Sequence, residues 1–119
     1  MDKFRPESFI PLTPVAFEIL LALADGERHG YSILQEVESR SGGTVSLHAG
    51  TLYRALARLL ESGFIEELDA TADRSNGDER RRYYRLTARG IAVTRAEVGR
   101  LEGQLAAART RRLLKGARA

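Results

Sequence analysis

Apolar positions in this chain follow a helical period for most of its length and switch to strand-like alternation in two short stretches after residue 63. Between Gly50 and Ser62, residues Leu52, Leu56, Leu59 and Leu60 fall at the i, i+4, i+7, i+8 spacing of a buried helix face. Thr51, Arg54 and Arg58 fall on the opposite stripe, so this helix packs on a core while showing cations outward. Ser46 stands where an N-cap would start it, and Gly63 where its C-terminus wants positive φ. Phe64-Ile65-Glu66-Glu67-Leu68 then reads as a strand, and Arg80 to Thr87 as a second strand entered through a basic run. Alternation turns Tyr84 and Leu86 inward and Tyr83 and Arg85 outward. The segment between the strands, Asp69 to Glu79 around Ser75-Asn76-Gly77-Asp78, has turn chemistry and no apolar anchor, which predicts a long, mobile hairpin loop.

Two helices precede this unit. Thr13-Pro14 is a helix start, a hydroxyl N-cap with proline at the first position. Phe17, Leu20, Leu21 and Leu23 follow, and the helix stops near Asp25-Gly26. His29-Gly30-Tyr31 opens the next, with Ile33, Leu34 and Val37 as its buried stripe and Ser41-Gly42-Gly43 as its end. Residues 1–12 form an arm whose Phe4, Phe9, Ile10 and Leu12 are too apolar for a free tail; it lies on the body or on a partner subunit. Thr87 caps a last helix, running to about Arg112, in which Ile91, Thr94, Val98, Leu101, Leu105 and Ala108 repeat at the 3-4 spacing of a coiled-coil seam. The expected fold is mainly α with a small β-hairpin: arm 1–12, winged helix-turn-helix domain 13–87, dimerisation helix 88–112 and basic tail 113–119. Helix, strand, basic loop and strand in that order point to DNA.

Composition narrows the picture. At 119 residues the chain is one domain. Its 43% hydrophobic and 29% charged residues are those of a globular protein. A net charge of +3 says little about a polyanion partner, but its distribution says more. No acid follows Glu102, while Arg109, Arg111, Arg112, Lys115 and Arg118 do, either as a phosphate-facing surface or as a solvated tail. With no cysteine, disulfides, thiolate chemistry and most structural zinc sites are excluded, which fits a cytoplasmic protein. No apolar run approaches a membrane span, and residues 1–7 have no signal-peptide core. The two histidines, His29 and His48, are too few for a metal sensor, and no cofactor is expected. There is no nucleophile–base pair, carboxylate dyad or phosphate-cradling glycine loop, so the chain does not read as an enzyme. Glu66, Glu67 and Asp69 read as solvated strand and loop charges.

The first half of the third helix offers His48, Ala49, Thr51, Tyr53 and Arg54 to a major groove, with Arg58 one turn on. Arg54 suits bidentate guanine readout or a phosphate clamp. Tyr53 either gives its hydroxyl to phosphate or packs under the wing. In the wing, Arg74, Arg80, Arg81 and Arg82 either touch the flanking backbone or pair with Asp73, Asp78 and Glu79. The dimer surface is expected at Phe9, Ile10, Ile91, Val98, Leu101 and Leu105. Gly99 and Gly103, four apart on one helix face, let another backbone approach closely or merely weaken the helix.

Four segments carry a resemblance. His29-Gly30-Tyr31-Ser32-Ile33, Gly50-Thr51-Leu52-Tyr53, Leu59 through Ile65, and Arg81 through Gly90 resemble the PadR-like transcriptional regulators in order and spacing, from about Leu12 to the last helix. The resemblance implies a homodimeric winged-helix protein, usually a repressor of a palindromic operator in double-stranded DNA. It also implies dimerisation through the C-terminal helix, in the branch with a single such helix. A cavity between dimer helices is a natural place for a small-molecule effector. The family commonly has proline before Gly-Thr-Leu-Tyr; here Ala49 stands there, which leaves the helix start less pre-organised. Without tryptophan, an effector site of stacked indoles is not available. The other reading is a winged-helix interaction module whose recognition surface meets protein.

Overall fold

The structure, a computed structural model, describes residues 3–44, 46–68 and 82–114. Four helices, α1 (Pro14–Ala22), α2 (Gly30–Arg40), α3 (Ala49–Ser62) and α4 (Ala88–Thr110), surround a small sheet of β1 (Arg28–His29), β2 (Ile65–Leu68) and β3 (Tyr83–Leu86). The sheet is antiparallel in the order β1-β3-β2, with Glu66 opposite Arg85 and His29 opposite Tyr83. The hairpin therefore gains a third strand. β1 is only two residues long, too short for alternation to mark it in sequence.

Each start and stop has a local cause. Thr13 Oγ1 accepts from the Ala16 N–H at 3.2 Å, and Pro14 opens α1. His29 Nδ1 accepts from the Ser32 N–H at 3.2 Å, so the histidine orders the turn before α2 as its N-cap. The expected cap at Ser46 is not used. His48 holds that position with no side-chain cap bond, because α3 begins only at Ala49. At the other end Gly63 has φ 81°, and the Phe64 N–H returns to the Leu59 carbonyl at 3.0 Å, closing a Schellman turn.

The core sits where the three front helices meet the sheet. Ile19, Leu20, Ile33, Val37, Leu52, Leu56 and Val93 are fully enclosed, and Tyr84 faces inward as its alternation requires. The N-terminal arm lies on this body. A 3-10 turn at Pro6–Phe9 stacks Phe9 on Phe4 and sets it edge-on to Phe64, with ring centres 5.6 and 5.1 Å apart. The Arg89 guanidinium covers the Phe4 ring at 4.6 Å.

Thr87 joins wing, α3 and α4. Its hydroxyl donates to the Gly63 carbonyl at 2.6 Å and accepts from the Gly90 N–H at 3.1 Å, while its own N–H donates to the Phe64 carbonyl. No free linker separates the winged unit from the long helix. Gly90 follows from that closeness, since a Cβ there would lie 1.9 Å from the Phe64 carbonyl oxygen.

Candidate nucleic-acid interface

α3 owes its character to a strict division of faces. Leu52, Leu56 and Leu59 are buried, and the outer face presents His48, Ala49, Tyr53, Arg54 and Arg58, with Thr51 half-buried at the edge. Among the described residues neither Arg54 nor Arg58 is paired with an acid. The Arg54 side chain folds back along the helix, its Nη1 3.4 Å from where a Cβ on Gly50 would stand. That direction is the one helical side chains favour, and it brings the guanidinium to the N-terminal half of α3. Arg54, Arg58 and Thr51 also line an open groove of about 220 Å³ shared with Thr13, Val15 and Ala16 of α1. Two cations with no acid partner among the described residues therefore flank a concave edge beside the recognition face.

Tyr53 leans to the other side. Its hydroxyl lies over Gly30, where a Cβ would come within 2.5 Å, so the first residue of α2 must be glycine for the ring to rest there. Tyr53 still shows 49% of its surface. The ring thus rests against the start of α2 while half of its surface stays open. Tyr84 lies beneath the same corner. Burial pushes its phenol above the usual range, Glu67 and Tyr53 add to the rise, and Arg82 opposes it.

In the wing, Arg82 lies 3.5 Å from Glu67 and Arg85 lies 2.6 Å from Glu66. The two glutamates are therefore more than solvated charges: they are exposed but also act as cross-strand partners, facing β3 in the hairpin register. Arg74, Arg80 and Arg81 lie outside the described residues, as do Asp73, Asp78 and Glu79 and the whole expected loop. Farther back, Arg28 donates to the Ala22 carbonyl at 2.7 Å and the Ser32 hydroxyl at 2.9 Å, and Arg40 pairs with Glu18 and Glu36. These contacts hold α1 and α2 as a frame behind α3. Their only signal in sequence is charge without periodicity, which does not say which acid meets which arginine.

The residues expected at a dimer surface separate into two groups. Ile91, Val98 and Leu105, seven apart, form a half-exposed stripe along α4, with Leu101 beside it. Phe9 and Ile10 pack on the chain's own body, although Phe9 stays partly open. Thr94, expected in the seam, is buried and donates to the Gly90 carbonyl at 2.7 Å. Between α1 and α4 the stripe borders a shallow cavity of about 410 Å³ lined by Leu21, Ala24, Leu86, Ile91, Thr94, Arg95 and Val98. Among the described residues there is no group of three metal-ligating side chains and no helix long and apolar enough to cross a membrane.

Comparison with known proteins agrees with this architecture. Residues 19–96 match the model of the transcriptional regulator PadR-like family. An uncharacterised protein of Lysinibacillus sphaericus is 35% identical over 74 residues, 62% of this chain and 65% of that protein's length. A transcriptional regulator from Clostridium thermocellum superposes with a TM-score of 0.67 at 27% identity, over 81% of this chain and 87% of that one. A PadR family transcription regulator from Clostridium difficile shares the fold, with a TM-score of 0.70 at 22% identity over 82% and 97% of the two chains. The order of motifs, the winged fold and the family match converge: the chain belongs to the PadR-like family of transcriptional regulators.

Proposed function

We propose that the protein is a homodimeric repressor that binds a palindromic operator with one α3 in each of two major grooves, in the cytoplasm where such DNA lies. The observation that carries this reading is the outer face of α3, where Arg54 and Arg58 stand exposed with no acid among the described residues to hold them. An unpaired guanidinium needs no partner removed before it meets guanine or phosphate. Arg82 is paired with Glu67, but the pair is largely exposed, and such pairs contribute little, so exchanging the carboxylate for a phosphate costs little. The half-exposed stripe of Ile91, Val98 and Leu105 supports the second copy, which would cover it. The cavity between α1 and α4 supports a place for a small effector.

The test starts from fragments selected out of the source genome and from single-base variants of the operator they define. Arg54→Ala is expected to lose roughly 1–3 kcal/mol and to flatten the preference at one base pair per half-site. Arg81→Ala and Arg82→Ala are expected to weaken all variants alike and to reduce the salt slope by about 0.9 for each phosphate no longer neutralised. A uniform loss for Arg54→Ala makes it a phosphate clamp and moves the readout to His48 and Thr51. Failure to enrich any fragment, with a flat salt response, favours a module that meets protein.

A further inference from the structure

The open face of α4 carries a pattern of charge beside its apolar stripe. Arg95 and Glu102 are both exposed, stand seven residues apart and border the stripe of Ile91, Val98 and Leu105 on one side. Among the described residues neither has a partner of opposite charge. They cannot serve each other, since seven residues are about two turns and a rise of about 10 Å. Arg100 is already taken: it donates twice to Glu97 within the same helix, each time at 2.8 Å.

The stripe and the charges share one centre. Ile91 and Leu105 lie seven residues either side of Val98, and the midpoint of Arg95 and Glu102 falls between Val98 and Gly99. A two-fold axis crossing α4 at that point makes the helix of a second copy antiparallel. It puts Val98 on the partner's Val98, and Ile91 on the partner's Leu105 twice over, so the stripe is covered along its length. The same axis sets Arg95 against the partner's Glu102, also twice. The partner's Leu105 then rests over the cavity of about 410 Å³ between α1 and α4, which Ile91 lines. In the parallel order like meets like, with Arg95 on Arg95, Glu102 on Glu102 and Arg109 on Arg109. In the antiparallel order Arg109 falls opposite the uncharged Ala88. Apolar contact alone accepts either direction, because three apolar residues at equal spacing read the same from both ends. Charge decides between them.

We propose that α4 pairs with α4 of a second copy in antiparallel order about Val98, and that two Arg95–Glu102 pairs across the axis select that order. The inference rests on the homodimer reading above. Exposed ion pairs are individually weak, but one reversed charge here exchanges attraction for repulsion at two places at once. Arg95→Glu and Glu102→Arg, each alone, are expected to weaken the dimer by about tenfold at low salt and by less at high salt. Both changes in one chain are expected to restore it to within about twofold of wild type. Sedimentation equilibrium reads all four constants. Direction is read separately, since the chain has no cysteine of its own. Ile91→Cys and Leu105→Cys variants are treated with a short bismaleimide, each alone and mixed. The antiparallel order is expected to link the two variants to each other and neither to itself, because the two copies of residue 91 would stand about 21 Å apart. Self-linking of each variant, or single reversals that leave the dimer as tight as the double change does, overturns the proposal. A wild-type chain that stays monomeric in the same runs overturns the homodimer reading beneath it.

Discussion

The two halves of α4 look alike in sequence and differ in what surrounds them. Both carry glycine, and both repeat apolar residues at 3-4 spacing. In the first half, Gly90 is pressed against the Phe64 carbonyl and Val93 is enclosed. In the second, a Cβ on Gly99 or Gly103 would meet nothing within 4 Å, and Val98 and Leu105 are 42% and 44% exposed. One periodicity thus has two causes, the chain's own core and a surface that needs covering. Periodicity states that a stripe avoids water; it does not state what covers it.

The largest effect should come from the enclosed half. Gly90→Ala places a methyl against backbone that cannot swing aside, and over-packing of this kind costs about 1–3 kcal/mol or more. Thermal unfolding is expected to show a loss of about 10 °C or more, and an unchanged midpoint would mean that the helix and Phe64 are not in contact. Next comes the open half. Leu101→Glu with Leu105→Glu puts charge on the stripe and is expected to convert a dimer to a monomer by light scattering. A dimer that survives both changes removes the second half of α4 from the interface. The smallest effect belongs to Gly99→Ala. In the Leu101→Glu, Leu105→Glu background it should raise helix stability by about 0.5–1 kcal/mol, because alanine is the better helix former on an open face. In the wild-type background it is expected to weaken the dimer, since a partner backbone approaching Gly99 leaves no room for a methyl. Equal stabilisation in both backgrounds would mean that nothing comes close to Gly99.

How much of this is legible in sequence depends on whether the cause is local. The third helix is plain, because four leucines on one stripe and a glycine stop are both properties of contiguous chain. The Thr13 and Thr87 caps are legible for the same reason. β1 is not, since two residues cannot alternate and only the pairing of His29 with Tyr83 makes them a strand. The need for glycine at 90 is hidden as well, because the atoms that forbid a side chain belong to the Phe64 backbone, distant in sequence. Glu97 is silent in sequence because a single acid on a polar helix ordinarily faces water, whereas here it is enclosed by the fold and held by Arg100. At the interface, the exposure of Arg54 and Arg58 follows from the stripe alone. Their freedom from acids among the described residues, and the groove they share with α1, require the packing of two helices.

The central claim is that two copies read one operator through paired α3 helices, and hydroxyl-radical footprinting of the selected operator tests it most directly. The expected result is two equal protected patches related by a dyad, their centres one turn of DNA, about 34 Å, apart. A single protected patch, saturating with one chain per duplex, would contradict it.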